Sequence, residues 1–206
     1  MTPTTPSDAE LLRLTVAGDE DAFIALYRRH QGRVYRFAFL MSGSAAVADD
    51  VTQEVFIALM REARRFDPAR GRLDSYLHGM ARNHVRRHLW RRRAYVSLDG
   101  EPDDDNAPSL RQLVAADDPL GELTRKELIR GVRQAVLSLP ARYREVIVLC
   151  DFDGMNHAEA AVALDCAVGT VGSRLNRARA MLAEKLRATG NVDSTSIGLD
   201  LQGCVI

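Results

Sequence analysis

Apolar positions recur along the chain every three or four residues and nowhere alternate with a period of two, a pattern that predicts helices throughout. Phe23, Leu26, Tyr27, Val34, Phe37 and Ala38 set the rhythm of a helix over Asp21–Phe39, with an interruption expected near Gly32. The run from Met41 to Ser44 is a break. A second helix is expected over Ala45–Phe66, where Val47, Val51, Val55, Ala58 and Leu59 share a face. Pro68 and Gly71 oppose helix, so residues 66–71 read as a loop. Leu77, Ala81, Val85 and Leu89, at steps of four, predict a long helix over Leu73–Arg93.

After Ser97 the character changes. Residues 97–118 hold Glu101, Asp103, Asp104 and Asp105 among prolines and bury too little apolar surface to fold alone. Helix is expected again from Glu122 to Leu139, broken at Pro140, and then over Arg142–Cys150. Asn156 and Glu159 have the spacing of a capping box ahead of a short helix, His157–Leu164. Asp165-Cys166-Ala167 is a tight turn, and a last helix runs from Val168 to about Arg187. Its stripe is Val171, Leu175, Ala178 and Leu182; Thr170, Ser173, Arg174 and Arg177 lie beside it, and Arg179 flanks the other side. Two helices joined by a three-residue turn, the second showing hydroxyls and arginines, fit a DNA-binding helix-turn-helix. A solvated amphipathic helix in an ordinary bundle is the other reading of the same pattern.

The expected fold is therefore all-α: a helical bundle over 8–96, an acidic flexible linker over 97–121, a second helical unit over 122–188 and a tail over 189–206. Charge supports that division. The 206 residues carry no net charge, yet residues 1–96 hold 16 basic and 11 acidic side chains, residues 97–127 hold 3 and 9, and residues 128–188 hold 9 and 6. Lys126 and Lys185 are the only lysines; arginine suits bidentate contacts to phosphate and guanine. Apolar runs such as Val146–Cys150 are far short of a membrane span. The first residues lack the basic and apolar regions of a signal peptide. Three scattered cysteines make no disulfide framework. These features point to the cytoplasm, without membrane insertion.

Several side chains invite chemistry. Asp50, Gln53, Glu54 and Ile57 lie at i, i+3, i+4 and i+7, opposite Val51 and Val55, and form one exposed polar face with an apolar spot. Trp90 sits among arginines and either stacks on nucleic acid or packs on the bundle. His84 and His88 have zinc-compatible spacing, but no nearby ligand completes a site. No phosphate-binding loop, nucleophile triad or metal cluster is present, so neither a cofactor nor covalent catalysis is expected.

Residues 135–187 resemble region 4 of the extracytoplasmic-function sigma factors of bacterial RNA polymerase. The likeness rests on Leu139-Pro140, Arg144-Glu145, Gly154, Gly169-Thr170-Val171, Ser173-Arg174-Leu175 and Arg177-Ala178-Arg179. The segments Asp50–Phe56 and Leu77–Asn83 resemble region 2 of the same family. Tyr76, Asp165, Gly172 and Ala160 depart from it, standing where Trp, Gly, Lys or Arg, and Ile are usual.

The resemblance implies a transcription initiation factor whose partners are core RNA polymerase, promoter DNA and an anti-sigma protein. It implies docking on polymerase through Asp50, Gln53, Glu54 and Ile57. It implies reading of the −10 element by Phe66, Arg70, Tyr76, Arg82, Asn83 and Arg86, and of the −35 element by Thr170, Ser173, Arg174, Arg177 and Arg179. A free-standing helix-turn-helix regulator would share residues 128–188 but has no use for the Asp50-Gln53-Glu54 face. An arginine-rich nucleic-acid enzyme using His84 and His88 is the reading from another class.

Overall fold

A computed structural model describes residues 6–96 and 121–188, with the backbone alone of residues 92–96 and 121–126. The expected linker and tail, with Cys204, lie outside the described residues.

The first unit comprises α1 (Asp8–Val16), α2 (Glu20–Ser42), α3 (Ala45–Glu62) and α4 (Leu73–Val96). Ser7, Asp19 and Ser44 cap the first three helices by accepting the backbone N–H three residues on. α2 ends at Gly43, whose φ of 69° suits glycine. Contrary to the sequence expectation, α2 runs unbroken through Gly32. That residue is exposed, and a single glycine costs only about 1 kcal/mol against well-packed flanks. Leu26, Val34, Phe37, Val51, Val55, Leu59, Leu77 and Ala81 are fully buried where the three long helices meet. α1 was absent from the periodicity because only Leu11 and Leu12 bury on it; it lies against α2, where His30 is 3.1 Å from Asp8.

The second unit comprises α5 (Gly121–Leu137), α6 (Ala141–Ile147), α7 (His157–Leu164) and α8 (Val168–Ala188). One turn of π-helix, Val148–Phe152, follows α6 and ends the expected Arg142–Cys150 helix early. Val146, Ile147, Val148, Ala160, Val171 and Ala178 are completely buried in this unit.

The linker led us to expect independent units, but among the described residues the two pack together. α7 lies along α4, and α5 and α6 touch α2, so one continuous apolar core runs through both.

Candidate nucleic-acid interface

The two arginine-bearing helices are presented differently. α8 is the second helix of a helix-turn-helix with α7. The capping box expected at α7 forms: Glu159 N donates to Asn156 Oδ1 at 2.9 Å, and Asn156 N donates to Glu159 Oε2 at 3.0 Å. Asp165 closes α7 in the left-handed region at φ 50°, a conformation Asp tolerates better than most residues. Val171, Leu175, Ala178, Leu182 and Leu186 are buried, which turns Ser173 and Arg177 to solvent and leaves Thr170 and Arg174 half-exposed. The Ser173 hydroxyl donates to the Thr170 carbonyl at 3.1 Å. The Arg177 guanidinium beside the Tyr143 hydroxyl holds that phenol below its ordinary range. Arg179 grips Asp151 in a bidentate pair, Nε–Oδ2 3.0 Å and Nη2–Oδ1 2.6 Å, so any DNA contact it makes competes with that pair.

α4 buries Leu73, Leu77, Ala81 and Val85 against the first unit and turns a second face to α7. At Gly79 the two helices approach so closely that a Cβ would lie 3.4 Å from the Ala163 carbonyl oxygen. Around this contact, carboxylates of the second unit meet basic groups of the first. Arg82 donates from Nε to Glu145 Oε1 at 2.9 Å, and Arg72 from Nη1 to Glu159 Oε1 at 3.1 Å. Asp153, whose side chain is wholly buried, faces His78 Nε2 at 3.2 Å and Arg36 Nε at 3.5 Å. Arg144, buried in α6, donates to the carbonyls of Leu137, Leu139 (2.9 Å) and Met41 (2.7 Å), the last at the end of α2. Burial pushes its guanidinium down to about 10, and the neighbouring Glu145 opposes that.

The remaining residues expected at the −10 element lie outside this contact or at its edge. Arg70 is exposed in a turn of 3₁₀ helix capped by Asp67. Phe66 and Tyr76 pack on each other, ring centroids 5.5 Å apart, and are half-buried against the core; burial raises the Tyr76 phenol. Asn83 and Arg86 are exposed, and so is Trp90, at 71%. Of the two sequence readings of Trp90, packing on the bundle is the one the structure excludes.

On α3, Asp50, Gln53 and Ile57 are exposed as the spacing predicts. Glu54 is not free: His84 Nδ1 lies 2.5 Å away, Arg87 Nη2 3.0 Å and His88 Nε2 3.4 Å. Burial alone would raise its carboxyl, but the hydrogen bonds from His84 and Arg87 bring it below its ordinary value. His84 and His88 are thereby joined to an ion-pair network. Met60, 59% exposed three residues beyond Ile57, extends the apolar spot. Sequence reasoning missed it, although its place off the buried stripe was a usable signal.

Arg33 binds Asp74, and His30 Nδ1 lies 2.9 Å from the same carboxylate. Burial opposes ionisation of Asp74, yet these partners hold it down to about 2. Burial likewise opposes the His30 cation, and Asp74 and Asp8 raise it nonetheless. Cys150 is pushed up to about 11 by burial, which keeps its thiol protonated at neutral pH.

Two families match the chain in order: sigma-70 region 2 over residues 26–95 and sigma-70 region 4 over residues 129–182. The helical pair is thus of the sigma-70 type. Among curated proteins, the chain is 36% identical to the ECF RNA polymerase sigma factor SigM of Mycobacterium tuberculosis, covering 87% of this chain and 85% of SigM. It is 34% identical to SigE of Mycolicibacterium smegmatis over 78% of this chain, and spans 60% of that longer protein. Among solved structures, CnrH in complex with the cytosolic domain of CnrY matches 89% of this chain and 99% of its own, with a TM-score of 0.66 at 28% identity. The sigma factor RpoE in complex with the anti-sigma factor NepR, from Bartonella quintana, matches 76% and 91%, with a TM-score of 0.60 at 25% identity. The chain belongs to the extracytoplasmic-function sigma factors, the promoter-directing transcription initiation factors of the sigma-70 family. Among the described residues, no helix is long and apolar enough to cross a membrane.

Proposed function

We propose that this chain binds core RNA polymerase in the bacterial cytoplasm and directs it to promoters, with α8 reading the −35 duplex and α4, with the loop before it, the −10 element. The observation that carries this reading is the pairing, in order, of two family regions, each of which exposes an arginine-bearing helix. Thr170, Ser173, Arg174 and Arg177 contact the duplex. Phe66, Arg70, Tyr76, Arg82, Asn83 and Arg86 contact the melted strand and its phosphates. Asp50, Gln53, Ile57 and Met60 dock on polymerase, and Glu54 ties that face to the arginines of α4.

The work is differential binding, not covalent chemistry: contacts to unpaired bases and to polymerase offset the lost stacking of the duplex. Arg82 is not free for a DNA phosphate while the buried Glu145 holds it, and Glu159 competes for the more exposed Arg72. The packed arrangement is therefore a resting state, and α7 leaves α4 when promoter and polymerase bind. An anti-sigma protein would act by holding the two units together; the similar sigma factor RpoE of Bartonella quintana is seen in complex with the anti-sigma factor NepR.

Titration of a labelled promoter duplex tests the reading. The isolated chain is expected to bind weakly, with strong salt dependence and little sequence preference, and to open duplex specifically only with core enzyme. Tight, specific binding by the chain alone at physiological salt, unchanged by Glu54→Ala, would overturn it.

A further inference from the structure

Trp90 is the only tryptophan of the chain, and it leaves 71% of its surface in water. Proteins bury most of so large a ring unless its exposed face has a use. Packing gives no reason for the exposure: among the described side chains of α4, Val85 is the last that is fully buried, and Leu89 is the neighbour that turns toward the core.

Its surroundings select a partner. From Met80 to Val96 there is no acidic residue, and Arg82, Arg86, Arg87, Arg91, Arg92 and Arg93 fall in that stretch. Arg86 and Arg91 are exposed beside Trp90; Arg87 is turned to Glu54. An apolar protein surface would need further apolar anchors around the ring, and here the neighbours are cations. A nucleic-acid strand matches both features, with a flat base for the indole and phosphates for the guanidiniums.

Helix geometry extends the match. Tyr76, Asn83 and Trp90 are seven residues apart, and seven residues return almost to the same face with a drift of about 20°. They form one row about 21 Å long at 1.5 Å per residue, with an aromatic ring at each end and an amide between. Unlike Gly79, which lies against Ala163 of α7, Trp90 and its neighbours Arg86 and Arg91 are exposed.

We propose that Trp90 is a base-stacking residue that takes an unpaired nucleobase of single-stranded DNA against its exposed ring, while Arg86 and Arg91 hold the flanking phosphates. This rests on the reading of α4 as the strand-binding helix and adds a residue to it.

Because Trp90 is the only tryptophan, its emission reports on this position alone in the full chain. The test titrates the chain at low salt with an end-labelled single-stranded DNA of mixed sequence, and in parallel with an abasic strand of equal length and charge. The base-bearing strand is expected to quench Trp90 and shield it from acrylamide; the abasic strand is expected to bind without doing either. Trp90→Ala should weaken the base-bearing strand by about tenfold, within the range of base–aromatic stacking, and leave abasic binding unchanged. Trp90→Phe should retain most of the affinity.

Equal binding of the base-bearing strand by the wild type and Trp90→Ala, with emission unmoved, would overturn the proposal. So would a loss of affinity for core polymerase in Trp90→Ala without DNA, which would place the ring on protein. Either result leaves the sigma reading standing if the wild-type chain still selects promoters with core enzyme. If the wild-type chain selects none, that reading falls and this one with it.

Discussion

α4 and α8 carry similar arginine-rich sequences and meet opposite fates in the fold. α8 shows Ser173 and Arg177 to solvent, and its Arg179 is tied to Asp151 beside it. α4 meets α7 near Gly79 and has its Arg82 held by Glu145 of α6, while Arg72, just ahead of the helix, pairs with Glu159 of α7; farther along, Arg86, Trp90 and Arg91 are exposed. The lesson is that α7 packs against α4 while α8 keeps its own polar face in solvent, and that carboxylates of the second unit occupy Arg72 and Arg82, two arginines of the first.

The sharpest way to break this difference is at Arg144, which joins α6 to the end of α2. Arg144→Ala leaves buried carbonyls of Met41, Leu137 and Leu139 without a donor. It should cost about 3 kcal/mol of stability, read as a lower urea midpoint, and should loosen the packing of the two units.

Acid should strike α4 from its other side. Asp74 is held at about 2 against an ordinary 3.8. A depressed carboxyl contributes stability above its unfolded value and loses it as pH falls toward the folded one, here about 2 kcal/mol between pH 5 and 2. His30 carries the opposite sign: its raised value gives stability fully present below about 6.5, lost as pH rises through the folded value. The two groups are one pair, so Asp74→Asn should flatten both limbs of the stability–pH curve measured by thermal melts.

Smaller effects are expected on the uncovered helix. Arg174→Ala or Arg177→Ala should each weaken promoter binding by the holoenzyme by about 1–2 kcal/mol, with relaxed preference at −35 where a base is read and a uniform loss where a phosphate is held. Arg179→Ala should cost about 1 kcal/mol of stability, since the arginine is half in solvent although Asp151 is largely buried. If Arg179→Ala instead matched Arg177→Ala in promoter binding, the assignment of faces on α8 would be wrong.

How much of this was legible in the sequence follows from what periodicity reports. The stripe Val171–Leu182, the capping box at Asn156 and the turn at Asp165 were readable because they are local and repeat at helical spacing. The exposed Asp50-Gln53-Ile57 face came from the same arithmetic. The packing of the units was not readable. Its contacts join residues 63, 75 and 87 positions apart, and they are made by polar side chains that a pattern of apolar residues passes over. One sign was present: Arg144 and Glu145 interrupt an otherwise apolar stretch, and charges there must find partners. Charge segregation suggested two free units; in the fold, the opposite charges meet across the contact instead.

The covering of α4 by α7 is tested most directly by preventing its release. A Cβ at Gly79 would lie within 4 Å of the Ala163 backbone, so Gly79→Cys with Ala163→Cys can be joined by oxidation, with each single variant as a control for the native thiols. Promoter-specific transcription with core polymerase should be lost in the oxidised double variant, return on reduction and persist in both single variants. Undiminished transcription from the fully cross-linked chain would contradict the account.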